Sequence, residues 1–100
     1  MNLRDFLDSL PRGGVAQLAR ALPVSTVYLH QIAVRRDGRE PSRELAVDIE
    51  RETEGVVPVE EMRPQDTWVR VPDPNWPNPA GRPLLDLSQR PAPVKEAADA

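Results

Sequence analysis

The sequence has no cysteine, a single histidine and no long apolar run. Without cysteine there is neither a disulfide framework nor a thiolate metal site, and His30 has no second histidine to complete a site. We therefore expect no metal and no cofactor. No stretch reaches the roughly 20 apolar residues that span a bilayer, and residues 1–5 lack the apolar core of a signal peptide. We expect a cytoplasmic protein with no membrane contact.

The sequence also lacks a set of residues that would form an active site. Glutamates are frequent in residues 44–61, but several of them are two positions apart and they have no second polar cluster to act with. That spacing favours a solvated helix face over a general acid and base pair. No nucleophile, base and orienting group can be assembled, so we do not expect an enzyme. With 100 residues, the chain is long enough for one small domain with one core.

The formal charge of −3 hides a separation of charge along the chain. Residues 12–43 contain six arginines against Asp37 and Glu40, a net charge of +4. Residues 44–66 contain two arginines against eight acidic residues, a net charge of −6. Such a chain can present a cationic face to DNA while its other side stays acidic, although charge blocks also occur simply to solvate a surface.

Apolar spacing and capping residues predict about five short helices. The pattern of Leu3, Phe6, Leu7 and Leu10 predicts a first helix over residues 3–10, capped by Asn2. Two more are predicted over residues 14–22 and 26–34. The fourth begins after the cap Ser42 and ends before Gly55, and a short helical turn begins near residue 58. We expect Val56, Val57, Val59, Met62 and Trp68 to close the core over the first helix.

The second and third helices meet at a tight turn around which the rest of the chain is organised. Pro23 stops the second helix near Leu22, because proline disfavours helix in the residue before it. Ser25 can then accept from the N–H of Val27 or Tyr28 and cap the third helix. Ala19 is small where the two helices must approach each other.

This segment resembles the helix-turn-helix of phage Cro and repressor proteins, and more closely the short Cro/YdaS-like bacterial and prophage regulators. The resemblance rests on Ala19, on the turn ending in Val24 and Ser25, and on Leu29 and Ile32, and it extends to about residue 68. The family's turn usually has a glycine, which allows a positive φ, where this chain has Pro23. The turn must therefore be reached in another way.

The resemblance implies that the outward face of the third helix reads bases in the major groove of double-stranded DNA. A helix of this length fits a groove about 12 Å wide. The base-reading candidates are Thr26, Val27, His30 and Gln31. A Gln31 amide can pair with adenine, and the methyl groups of Thr26 and Val27 can pack against thymine.

The phosphate contacts are expected from the basic residues and from the exposed helix N-termini, which attract anions. The glycines before the second helix leave its first N–H groups uncovered, and a charged loop follows the third helix. The phosphate-binding candidates are Arg12, Gly14, Arg20, Ser25, Tyr28, Arg35, Arg36 and Arg39. These contacts orient a protein on DNA without reading sequence.

Beyond Trp68 the chain is rich in proline, which excludes regular helix from most of this region. We divide the chain into a helical domain over residues 1–68, an extended arm over residues 69–87 and a disordered tail over residues 88–100. Residues 68–71 and 84–87 have strand-like character and are candidates to pair. Trp76 is too large and apolar to leave in water, so it packs back on the domain or fills a pocket on a partner.

The sequence thus predicts an all-α helix-turn-helix bundle with an extended proline-rich C-terminal arm. The resemblance implies a Cro-like repressor of phage or bacterial origin. Because one recognition helix covers too few base pairs, we expect a homodimer on a two-fold operator. The alternative is an antitoxin-like or adaptor module that binds a protein partner through Trp76, Leu84 and Leu85. The tail is also our candidate for the dimer interface.

Overall fold

The computed structural model describes residues 1–86 and contains five α-helices, one 3₁₀ turn and two strands. The prediction that falls on residues 88–100, and that for Leu87, lie outside these residues. The elements are α1 (Leu3–Ser9), α2 (Gly14–Ala21), α3 (Thr26–Ala33), the 3₁₀ turn (Arg36–Gly38), α4 (Arg43–Glu52), α5 (Val59–Met62), β1 (Trp68–Val71) and β2 (Arg82–Leu85). None of the helices in this part of the chain is both long and apolar enough to cross a membrane.

Three of the helices begin at the capping residues that the sequence predicts. The Asn2 side chain accepts from the N–H of Asp5 at 2.8 Å, and the Ser42 hydroxyl accepts from Leu45 at 3.1 Å. Ser25 caps α3 in the same way. Each bond satisfies a backbone donor that the helix itself leaves without a partner. The C-terminal end of α4 is closed at Gly55, whose φ of 83° is one that glycine adopts without strain.

One hydrophobic core lies between the helices. Leu29, Ile49, Val57 and Val59 have no exposed surface. The remaining buried apolar residues surround them and come from every helix: Leu3, Leu7, Leu18, Ala19, Leu22, Ile32, Ala46 and Met62. Trp68 packs against this core, as expected, but Val56 is 43% exposed and does not close it. That expectation was wrong because the chain turns at Gly55, so that of the two neighbouring valines only Val57 faces inward.

The turn between α2 and α3 is formed without the positive φ that glycine would supply. No residue from 22 to 25 has a positive φ, and the peptide bond between Leu22 and Pro23 is cis. Leu22 keeps a helical conformation at the C-terminal end of α2. The N–H of Val24 then donates to the carbonyl of Ala19 at 2.8 Å, which closes the turn on the last residues of the helix.

The protein is mostly helical but not all-α, because β1 and β2 form an antiparallel hairpin. The first strand coincides with the predicted run 68–71, whereas the second begins at Arg82 and not at Leu84. Pro83 lies opposite Arg70. The N–H of Asp86 bonds to the carbonyl of Thr67, so hydrogen-bonded pairs alternate at 67, 69 and 71 and the pair that contains Pro83 is not one of them. The strand therefore tolerates the missing N–H.

The hairpin is fastened to α4 through a buried carboxylate. Glu50 has no exposed surface, and its oxygens accept from the indole N–H of Trp76 at 2.6 Å and from the Arg70 guanidinium at 2.8 Å. Trp76 thus packs back on the helical part of the molecule, as one of the two predicted outcomes. The prediction that the glutamates form a solvated face was wrong for Glu50, which lies four residues after Ala46 on the inward stripe of α4.

Candidate nucleic-acid interface

The α2–α3 pair is built so that one face of α3 is fixed inward. Leu29 is fully buried and Ile32 is 3% exposed, and both belong to the common core. The Ser25 hydroxyl accepts from the N–H of Tyr28 at 3.0 Å and sets the first turn of the helix. Residues three or four positions apart share a helical face. The inward pair Leu29 and Ile32 therefore determines which side chains of α3 lie outside.

The outward face of α3 consists of the residues that the sequence singles out for base reading. Thr26, Val27 and His30 are exposed, and Gln31 is half-buried. Val27 is 64% exposed, the largest exposure among the large apolar side chains of the described chain. The methyl groups of Val27 therefore face solvent. Burying them in the core would have stabilised the protein more.

Tyr28 lies at the flank of this face. Its ring packs against the core, and the residue is half-buried. Ser25, the other polar candidate at the start of α3, has its hydroxyl oxygen already accepting the capping bond. The Ser25 hydroxyl hydrogen is still available to an acceptor, because a hydroxyl both donates and accepts. Tyr28 and Ser25 thus lie beside the outward face without being its main contact surface.

The predicted phosphate-binding arginines fall into two groups. Three of these candidates are exposed and make no hydrogen bond or ion pair within residues 1–86, namely Arg12, Arg20 and Arg36. Arg35 and Arg39 have partners inside the protein. Arg35 donates to the carbonyl of Met62 at 2.8 Å and to Glu40 at 3.3 Å, which ties the loop after α3 to the end of α5. Arg39 donates to the amide oxygen of Gln31 at 2.9 Å.

The N-terminus of α2 is less open than the glycine pair suggests. Gly13 has a φ of 85° and contributes no side-chain cap. The N–H of Gly14, however, donates to the carbonyl of Pro11 at 2.9 Å. A side chain at position 14 would also meet the Cβ of Leu10 at 2.9 Å, so this glycine allows α1 and α2 to approach each other. Gly14 therefore has a packing role.

Arg4 is a further cation near α3 that the sequence reasoning missed. Arg4 and Arg35 both line a cavity of about 190 Å³ between the start of α1 and the end of α3, together with Val34. Arg4 is exposed. Arg4 lies outside the basic segment of residues 12–43, and only the fold brings the start of α1 beside the end of α3.

Two acids outside the α2–α3 pair, Glu50 and Asp66, are neutralised inside the protein. Burial would raise the pKa of Glu50, but the bonds from Arg70, Trp76 and the N–H of Val59 outweigh it and hold the pKa below its usual value. The bond from Arg43, aided by Arg63, lowers the pKa of Asp66 despite partial burial. The same interactions raise the pKa of Arg43 and Arg70. These groups stay charged and hold the hairpin and the loop before it on α4.

Glu40 connects this internal network to the basic loop. Its carboxylate accepts from Arg63 at 3.1 Å, from Gln65 at 2.7 Å and from Arg35. The inner side of the loop is therefore fixed, while Arg36 lies on its exposed side. Arg36 is therefore an exposed cation in the turn that follows α3.

No cluster of three or more His, Asp or Glu residues within residues 1–86 is arranged to hold a metal ion. The outward face of α3 and the cations around it are thus the candidate site. Comparison of the sequence with models of protein families and with curated proteins gives no match.

Proposed function

We propose that this protein is a sequence-specific double-stranded DNA-binding regulator of the repressor kind, with α3 as the helix that enters the major groove. The observation that carries the proposal is the exposed face of Thr26, Val27 and His30. Arg39 bonds to Gln31 on the same helix, and Arg36 in the turn after α3 has no acidic partner in the described chain. The eight residues of α3 form a regular α-helix, and a helix about 10–12 Å in diameter fits a major groove about 12 Å wide.

The residues of the site divide by the information that they can carry. Val27 and Thr26 offer methyl groups to thymine, and His30 and Gln31 offer hydrogen bonds to base edges. Arg12, Arg20 and Arg36 supply phosphate contacts that orient the protein and make binding depend on salt. Leu29 and Ile32 act only through the core, by holding the helix in place.

A single α3 contacts too few base pairs for specificity, so the regulator acts as a homodimer on two half-sites about 34 Å apart. The outer surface of the β1–β2 hairpin is the candidate dimer interface, because it carries exposed apolar residues. Val69 and Leu84 face each other across the two strands and are 41% and 40% exposed. Leu84→Asp tests it by sedimentation equilibrium, because an unchanged dimer would place the interface elsewhere. Deleting residues 70–100 is the weaker test, since it removes Arg70 from buried Glu50.

The function itself is tested by selecting bound sites from random duplexes with the purified full-length protein and then titrating the selected duplex. We expect a two-fold symmetric site that is bound at least about 10³-fold more tightly than a scrambled duplex. Val27→Ala should weaken binding to the selected site. Val56→Ala is the matched control, because it also truncates an exposed valine but lies in the turn after α4. Equal affinity for all duplexes would rule out a sequence-specific regulator.

The alternative function is a protein-binding adaptor or antitoxin-like module. A groove of about 490 Å³ between α4 and β2 supports it, and its apolar lining includes Val47, Trp68, Leu84 and Leu85. Trp76 is the weaker part of this candidate surface, because its N–H is bonded to Glu50. An adaptor would show no preference among duplexes, so the titration above distinguishes the two functions.

A further inference from the structure

A hydrogen bond joins α3 to the loop that follows it. The Arg39 guanidinium donates to Gln31 Oε1 at 2.9 Å, across eight residues of sequence. Gln31 is the sixth residue of α3, and Arg39 immediately follows the 3₁₀ turn. The residues that the sequence assigned separately to a base and to a phosphate are thus one connected pair.

The loop presents Arg39 in a defined position. Arg35 and Asp37 both have a φ of 54°, a conformation that turns the chain sharply. Arg35 is held by the carbonyl of Met62, and Glu40 is held by Arg63 and Gln65. The chain on both sides of Arg39 is therefore anchored to the body of the protein, and Arg39 lies exposed between the anchors.

The bond also determines which way the Gln31 amide faces. A guanidinium group only donates, so the amide oxygen must face Arg39, and a flipped amide would set N–H groups against each other. Gln31 then directs its Nε2 donors away from Arg39. The remaining N–H groups of Arg39 have no partner within residues 1–86. The pair consequently presents mainly donors.

We propose, resting on the proposed function, that Arg39 and Gln31 together read one guanine, with Gln31 positioning the Arg39 guanidinium. Guanine is the base that shows two acceptors, N7 and O6, in the major groove, whereas adenine shows one acceptor beside a donor. A donor-rich pair complements guanine. Arg39 is then a specificity-determining residue and not a phosphate contact, and Gln31 does not select adenine.

The experiment measures equilibrium affinity for the selected duplex and for its single base-pair variants, at several salt concentrations. Four variants are compared with the full-length protein: Arg39→Ala, Arg39→Lys, Gln31→Ala and the double variant Arg39→Ala with Gln31→Ala. Arg36→Ala is the matched control, because Arg36 is an exposed cation of the same loop without a protein partner in the described chain. Circular dichroism of each variant checks that it folds.

We expect Arg39→Ala and Gln31→Ala to lose preference at the same guanine, by roughly 5- to 150-fold. The double variant should lose no more than Arg39→Ala alone. Arg39→Lys should lose the preference while keeping the salt slope, because lysine keeps the charge but not the planar fork. Arg36→Ala should instead weaken all duplexes uniformly.

Two results would overturn the proposal that Arg39 and Gln31 read one guanine, while leaving the proposed function intact. In the first, Arg39→Ala behaves like Arg36→Ala, which makes Arg39 a phosphate contact. In the second, the base at the Gln31 position is adenine and Arg39→Ala leaves that preference intact. A protein that prefers no duplex at all would overturn the proposed function and the pairing with it, so the failures are distinguishable.

Discussion

Arginine has different uses in the two halves of the molecule. In the half that contains α4 and the hairpin, every arginine of the described chain has an acidic partner: Arg43, Arg51, Arg63, Arg70 and Arg82. In the half that contains α1 to α3 and the 3₁₀ turn, five of the six arginines have no acidic partner: Arg4, Arg12, Arg20, Arg36 and Arg39. Where acids are close by, arginine holds the fold together. Where it makes no ion pair, its charge remains exposed to solvent.

The largest expected effect comes from breaking the internal pairing of α4. Glu50→Ala should lower the free energy of unfolding by about 3–5 kcal/mol, because it leaves the largely buried Arg70 without its main partner. The matched control is Glu52→Ala, a carboxylate on the same helix whose pair with Arg51 is exposed. That change should cost about 0–1 kcal/mol. Urea unfolding of both variants makes the comparison, and equal losses would contradict it.

A similarly large contrast is expected within α3. Leu29→Ala removes a fully buried side chain and should cost about 2–5 kcal/mol. Val27→Ala, two residues earlier and 64% exposed, should change stability by less than about 0.5 kcal/mol. Thermal unfolding separates the two. A large loss of stability in Val27→Ala would mean that this face of α3 packs against something, which would remove it as a free reading surface.

Acid should lower the free energy of unfolding by protonating the carboxylates that hold the hairpin on α4. Glu50 and Asp66 have pKa values that are lowered by their arginine partners. Their contribution to the free energy of unfolding is fully present above the unfolded-state pKa of about 4. It is lost as the pH falls through the lower pKa values of the folded state. Urea unfolding between about pH 7 and pH 2 should show stability decreasing below about pH 4. In Glu50→Gln this decrease should be shallower, since one titrating group is gone. An identical profile in the variant would contradict this role.

The elements could be predicted from the sequence wherever the signals are local. Asn2, Ser25 and Ser42 cap helices through bonds that reach only three residues along the chain, and the period of 3.6 indicates which side of α3 is buried. These signals are sufficient because the residues that form a helix and the residue that caps it are close together in the sequence.

Features that depend on distant partners could not be predicted in this way. Glu50 meets Arg70 across 20 residues, and the local pattern of glutamates looks solvated until that partner is known. Its place on the inward stripe of α4, four residues after Ala46, was the one available signal. The bond from Arg39 to Gln31 spans a loop in which Arg35 and Asp37 adopt a positive φ. Aspartate is enriched in this conformation, but arginine is not, so the sequence did not indicate the conformation of Arg35.

The smallest effect tests the unpaired arginines. Arg20→Ala and Arg36→Ala should each reduce the slope of log affinity against log salt by about 1, and should weaken binding to all duplexes alike. Arg51→Ala is the control, because Arg51 is already bonded to Asp48 and Glu52. Fluorescence anisotropy with the selected and the scrambled duplex measures each slope. If Arg51→Ala reduced the slope as much as Arg36→Ala does, internal pairing would not decide which arginines meet DNA, and the contrast between the two halves would have no bearing on binding.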